Sequence, residues 1–197
     1  MEKLIKKYIK KDNPDILHDL RIFARKRLSL LERENKTDKA LKELLKRSSK
    51  LRDTDVLLEI CKNKKAKKHL KKKHKKLRKE FLKFLKNFSP KIGEISQKSA
   101  FDGRCGEILK KSFLDKNEKE LHKIRIEIKK CRYTDKRREK YFKPLQDALG
   151  KVHDYYNCER LLKKYGLKTD KALRKKTKWI KKAEKRRKRV LRVLGLD

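Results

Sequence analysis

The sequence predicts an all-α protein made of two related halves, and three observations lead there. Glycine and proline are scarce, six and three in 197 residues, so few positions force a break. Leucine, isoleucine and phenylalanine recur at helical spacing along the chain. One block also occurs twice: Leu17-His18-Asp19-Leu20-Arg21-Ile22, followed by Arg25 and Lys26, returns as Leu121-His122-Lys123-Ile124-Arg125-Ile126, followed by Lys129 and Lys130. In both copies the histidine is followed by an arginine three residues on, a cation seven on and a lysine eight on. Positions i, i+3 and i+7 share one helix face.

The repeat extends outward from that block. Aligning Glu2–Ser29 with Gly106–Tyr133 without gaps sets Leu4 and Ile5 on Ile108 and Leu109, Lys6 and Lys7 on Lys110 and Lys111, and Asn13 on Asn117. Each half therefore opens with a short amphipathic helix and a polar turn, then the histidine helix. Asp12 or Asn13 before Pro14 suits an N-cap with proline in the first turn. Asn117 followed by Glu118 and Glu120 is the matching start, with acids near a helix N-terminus. A longer helical pattern comes next, roughly over 38–61 and over 139–165, in which Leu51-Arg52-Asp53 answers Val152-His153-Asp154.

Each half closes with a strongly basic helix. In the first, Ala66, Leu70, Leu77, Phe81, Phe84, Leu85 and Phe88 make an apolar stripe; in the second, Leu173, Ile180, Ala183, Val190 and Leu194 do. Four helices per half is the pattern of a four-helix bundle. The halves span 1–88 and 105–197, with 89–104 as the connection, where Pro90, Gly93 and Gly103 fall.

Charge narrows the partner. The chain has 66 Lys and Arg against 27 Asp and Glu, a formal charge of +39. Such a charge repels itself unless anions are present, so a polyanion is the natural partner. There is no signal peptide pattern and no apolar run near the roughly 20 residues a membrane span requires. Cys61, Cys105, Cys131 and Cys158 are scattered without a C-x-x-C, which suits a reducing compartment better than a disulfide framework; the expected location is the cytoplasm.

On a helical wheel, Leu17, Leu20, Ala24, Leu28 and Leu31 occupy one arc, and Leu121, Ile124 and Ile128 the same arc of the second copy. These are core positions. His18, Arg21 and Arg25 form the strip beside them, as do His122, Arg125 and Lys129, with Ile22 or Ile126 on the far flank. Cations bordered by apolar side chains on both sides describe a half-buried wall, with stems covering apolar surface and charged ends gathered. Internal carboxylates are few: Asp53 and Asp55 follow Arg52, and Asp154 follows His153. The remaining cations suit phosphate oxygens, with arginine giving planar recognition and lysine a point charge. A neighbouring phosphate would raise a histidine's pKa, so affinity should fall as pH rises. His69 and His74 lie in a lysine run and look incidental, and the runs 62–79 and 171–189 read as solvated faces that together steer a polyanion.

These residues resemble the CHAD domain, the conserved-histidine α-helical domain. The first histidine block is similar to its first signature, Arg52-Asp53-Thr54-Asp55-Val56 to its second, and Leu121 to Arg125 with Lys129, Lys130, Arg132 and Tyr133 to its third. Leu145-Gln146 with Leu149-Gly150-Lys151-Val152-His153-Asp154 is similar to its fourth, so the resemblance covers essentially the whole chain. The chain departs from the pattern at Leu28, where a further cation is frequent, and at Ser48-Ser49, where glycine is usual. The resemblance implies two pseudo-symmetric antiparallel four-helix bundles with a basic groove or pore between them. It also implies non-catalytic binding of inorganic polyphosphate, with association to polyphosphate granules. The implied contacts are His18, Arg21, Arg25, Lys26, His122, Arg125, Lys129, Lys130 and Arg132, with Arg52, His153 and Tyr133 as weaker candidates.

The alternative is a nucleic-acid-binding protein, since charge alone serves RNA or DNA equally well. Against it stand the single tryptophan, Trp179, and the absence of an RNP-like run, a zinc finger or a KH-type loop. A phosphate-handling enzyme has the least support. The cysteines lack zinc spacing, no P-loop is present, and Asp53, Asp55 and Asp154 are better placed to pair with basic neighbours than to hold magnesium. No catalytic residue, metal or cofactor is expected.

Overall fold

A computed structural model describes residues 1–33, 35–88, 104–134 and 139–196; for Arg33, Arg104, Tyr133 and Thr134 it describes the backbone alone. Among the described residues there are nine α-helices and no strand. The chain divides into two compact units, Met1–Gln97 and Lys98–Asp197. Apart from Arg104, the expected connection over 89–104 lies outside the described residues.

The first unit holds α1 (Glu2–Lys10), α2 (Pro14–Arg33), α3 (Lys39–Arg47), α4 (Ser49–Ile60) and α5 (Lys64–Lys86). The starts follow local chemistry. Pro14 opens α2, with the Asn13 side chain accepting from the Asp15 amide at 2.7 Å. Asp38 caps α3 by accepting from the Leu41 amide at 2.9 Å, and Asn63 caps α5 by accepting from the Ala66 amide at 3.1 Å. Leu17, Leu20, Ala24 and Leu28 are buried as the wheel requires, against Tyr8, Leu44, Leu51 and Phe81. The number of helices differs from the expected four. The single pattern over 38–61 is broken between Arg47 and Ser49, because the buried Ser48 turns its hydroxyl back to donate to the Leu44 carbonyl at 2.6 Å.

The second unit holds α6 (Arg104–Lys110), α7 (Glu118–Thr134), α8 (Glu139–Lys164) and α9 (Asp170–Leu194). Asn117 and Glu120 form a reciprocal capping box at the start of α7: the Glu120 amide donates to Asn117 Oδ1 at 3.0 Å, and the Asn117 amide donates to Glu120 Oε2 at 2.9 Å. Unlike its counterpart in the first unit, α8 runs unbroken past Gly150. Gly195, in the left-handed region at φ 66°, ends α9. Of its expected apolar stripe, Ala183 and Val190 are buried and Ile180 and Leu194 pack against the core, and the departure is at the start of the helix. Leu173 is 44% exposed, and Ala172 and Lys176 are buried in its place.

The cysteines form a disulfide where the sequence suggested reduced thiols. Cys105 on α6 and Cys131 on α7 form a disulfide, with Cα atoms 5.8 Å apart. They are 26 residues apart in sequence, and only the packing of α6 on α7 brings them together.

Candidate anion-binding clusters

In the first unit, α2 and α4 gather His18, Arg21, Arg25 and Arg52. Arg21 is buried, and its Nη1 donates to the Leu45 carbonyl at 2.7 Å and to the Ser48 hydroxyl. Its Nε is buried without a hydrogen-bond partner. Ser48, which breaks the helical pattern between α3 and α4, thus receives this guanidinium. Burial brings the Arg21 pKa down to about 9, with Arg25 and Arg52 adding to the fall and Asp53 opposing it. Burial also lowers the pKa of His18, assisted by Arg52 and Arg25 against Asp19 and Asp15. Arg52 Nη1 donates to the Pro14 carbonyl at 3.3 Å, which draws α4 toward the start of α2. Lys26 lies exposed, one position past Arg25.

In the second unit, α7 and α8 gather His122, Arg125, Lys129 and His153. The rings of His122 and His153 have centroids 4.7 Å apart, with planes at 35°. Nδ1 of His122 is buried without a hydrogen-bond partner. The Asn157 amide nitrogen lies 3.1 Å from His153 Nε2. Gly150 lies beneath Arg125: a Cβ there would come 3.7 Å from Arg125 Nε, an ordinary contact distance. Burial holds His153 down to about 4, with Arg125, His122 and Lys129 adding to the fall. Burial, Arg125 and Lys129 lower His122 in the same sense. His122 and His153 line a small recess with Glu118, Leu121, Leu149 and Tyr156.

The other expected contacts are placed differently. Arg132 is clamped on Glu139, with Nε at 3.0 Å and Nη2 at 2.7 Å from Oε1, and its Nη1 reaches Gln146 at 3.4 Å. Lys130 is exposed and paired with Glu127 at 3.0 Å. The side chain of Tyr133 lies outside the described residues.

Several charged residues that the sequence concealed are built into the interior. Lys176 on α9 is buried, 2.7 Å from Glu118 and 2.8 Å from Glu159. Burial works against its charge, but these two carboxylates outweigh it and raise its pKa. Arg187 holds Glu184 through Nε at 2.9 Å and Nη2 at 2.6 Å, and donates to the Leu109 carbonyl at 2.5 Å. The Phe113 amide also donates to Glu184, at 2.9 Å. In the first unit His74 is not incidental: its Nε2 lies 2.8 Å from the buried carboxylate of Asp55, tying α5 to α4. The apolar residues around Lys176 and His74 at helical spacing were the available signal, obscured by the surrounding lysines.

Along α9, Arg174, Thr177, Lys178, Lys181, Lys182 and Lys185 line an open basic trough. Among the described residues no helix is long and apolar enough to cross a membrane, and no three His, Cys, Asp or Glu side chains are grouped to hold a metal ion. Comparison with known proteins finds no matching family model, no matching curated protein and no matching solved structure.

Proposed function

We propose that this chain binds inorganic polyphosphate without transforming it, as its resemblance to the CHAD family implies. The supporting observation is the environment of Arg21. In the interior of the second unit, the cations Lys176 and Arg187 are each matched by carboxylates. Arg21, equally buried, bonds no carboxylate: it donates to a carbonyl and a hydroxyl, and its charge stands between Arg25 and Arg52, which oppose it, and Asp53, which favours it. A buried guanidinium among cations is costly unless an anion balances it. A phosphate chain supplies that charge repeatedly along its length, with no bases to be read. In this reading His18, Arg21, Arg25 and Arg52 make one set of contacts and His122, Arg125, Lys129 and His153 the other. Association with polyphosphate granules follows from the same proposal.

Nucleic-acid binding is the second reading, favoured by the trough on α9, which offers exposed cations without a defined cluster. Calorimetric titration with long-chain polyphosphate, orthophosphate and RNA of matched charge, over a salt series, separates the two. The polymer should bind far more tightly than orthophosphate through many-site contact, and affinity should fall linearly on a log–log salt plot. RNA displacing polyphosphate at equal charge would favour the second reading. Equal affinity per site for orthophosphate and polymer would refute the first.

A further inference from the structure

The two clusters are alike in three of their four members and unlike in the fourth. A row of histidine, arginine and a further cation on α2 or α7 meets Arg52 from α4 in the first unit, but His153 from α8 in the second. The first cluster thus contains one imidazole among guanidinium groups. The second contains two imidazoles in contact, 4.7 Å apart.

The surroundings of that pair are unfavourable to charge. From α7, Arg125 and Lys129 act on it, and among the described residues all the charges that shift the two rings are positive. Glu118, also on α7 and facing the same recess, is held by Lys176 of α9 at 2.7 Å. Lys176 stands 5.7 Å over the ring of Tyr156, which lines the recess from α8, and is bonded to Glu159 as well. Asp154 follows His153 in the chain. The Asn157 amide nitrogen lies 3.1 Å from His153 Nε2, within reach to donate to a neutral ring. Nδ1 of His122 is buried with no hydrogen-bond partner, so nothing in its surroundings favours a proton there. Two adjacent imidazoles beside two fixed cations cannot both be protonated cheaply, but a phosphate anion placed among them reverses the balance.

We propose that the second cluster binds anions with uptake of protons by the His122–His153 pair, so that acid strengthens its hold, whereas the first cluster, with Arg52 in the corresponding place, has most of its charge in place beforehand. The proposal rests on the polyphosphate reading and specifies how that site is regulated. Each proton taken up on binding makes affinity fall by up to about tenfold per pH unit as pH rises. The depressed proton affinity of both rings in the free protein leaves them uncharged above their lowered values, so protons are there to be taken up when an anion binds.

The test is calorimetry with long-chain polyphosphate, whose internal units keep their charge, from about pH 5 to 8. Buffers of different ionisation enthalpy count the protons taken up. Proton-detected NMR of the histidine Cε1–H groups, on the unaltered protein, identifies the rings concerned. The expected result is net uptake, with His122 and His153 moving to the protonated position when polymer is added. His153→Arg, which copies the first unit, should still bind and should lose at least half of the pH slope. Binding without uptake, protonation confined to His18, or an unaltered slope in His153→Arg would overturn the inference and leave the polyphosphate reading intact. No polymer binding at any pH would overturn both.

Discussion

Replacing a buried cation by methionine should be costly in the second unit and nearly neutral in the first. Lys176 has buried Glu159 at 2.8 Å and the part-exposed Glu118 at 2.7 Å, so Lys176→Met leaves the buried Glu159 with only the exposed Lys163, at 2.8 Å, as a partner. Breaking such a pair from one side costs about 3–5 kcal/mol. Arg21 strands nothing charged, because its bonds go to the Leu45 carbonyl and to Ser48, whose hydroxyl also bonds the Leu44 carbonyl. The fall of its pKa to about 9 corresponds to a charging penalty of roughly 5 kcal/mol. Its two bonds to neutral oxygens return about 1.5–3 kcal/mol each. These nearly cancel, and methionine keeps the packing volume. Arg21→Met should therefore change stability by less than about 1 kcal/mol in anion-free, low-salt buffer.

Urea unfolding reads both variants. Trp179 is the single tryptophan and lies in the second unit, so its fluorescence reports Lys176→Met, while far-UV circular dichroism reports Arg21→Met. Polyphosphate at a hundredfold excess over its dissociation constant should then stabilise the unaltered protein by about 2.7 kcal/mol and stabilise Arg21→Met much less. If Arg21→Met loses as much stability as Lys176→Met without any anion, Arg21 is a brace of the fold, and the argument from its uncompensated charge fails.

Three further outcomes follow from the same contacts. Arg125→Ala should weaken polyphosphate binding more than about tenfold, whereas Lys130→Ala, which removes an exposed cation already paired with Glu127, should weaken it less than about threefold; titration calorimetry with equal losses would contradict the assignment. His74→Leu leaves the buried Asp55 without its 2.8 Å partner and should cost about 3 kcal/mol in urea unfolding of the first unit, and a cost below about 1 kcal/mol would show the contact to be dispensable. Removing the disulfide with Cys105→Ala and Cys131→Ala frees a 26-residue separation and should lower the stability reported by Trp179 by about 3 kcal/mol; an unchanged midpoint would mean that packing of α6 on α7 suffices alone.

Local patterning accounts for much of the helical organisation. The buried positions Leu17, Leu20, Ala24, Leu121 and Ile128 follow from a 3.6-residue period, and the caps at Asn13 and Asn117 follow from side chains that can reach the first free amides. The repeat aligned Arg52 with His153, but that Arg52 stands beside the first row and His153 beside the second came from the packing of helices. The break at Ser48 was not legible. Whether a serine inside a helical pattern bonds back to its own helix depends on what lies over it, and here that is Arg21, 27 residues earlier in the chain.

The sequence by itself determined that this chain is helical, which faces of its helices turn inward, and that two rows of histidine and cations recur in register. Periodicity and spacing encode those things locally. Only the tertiary structure decided which cations are consumed by the fold. Lys176, Arg187 and Arg132 meet carboxylates, while Arg21 meets neutral oxygens. Helix packing likewise joined Cys105 to Cys131 and seated His74 on Asp55. A side chain's net charge environment is a sum over neighbours distant in sequence, and composition cannot order that sum.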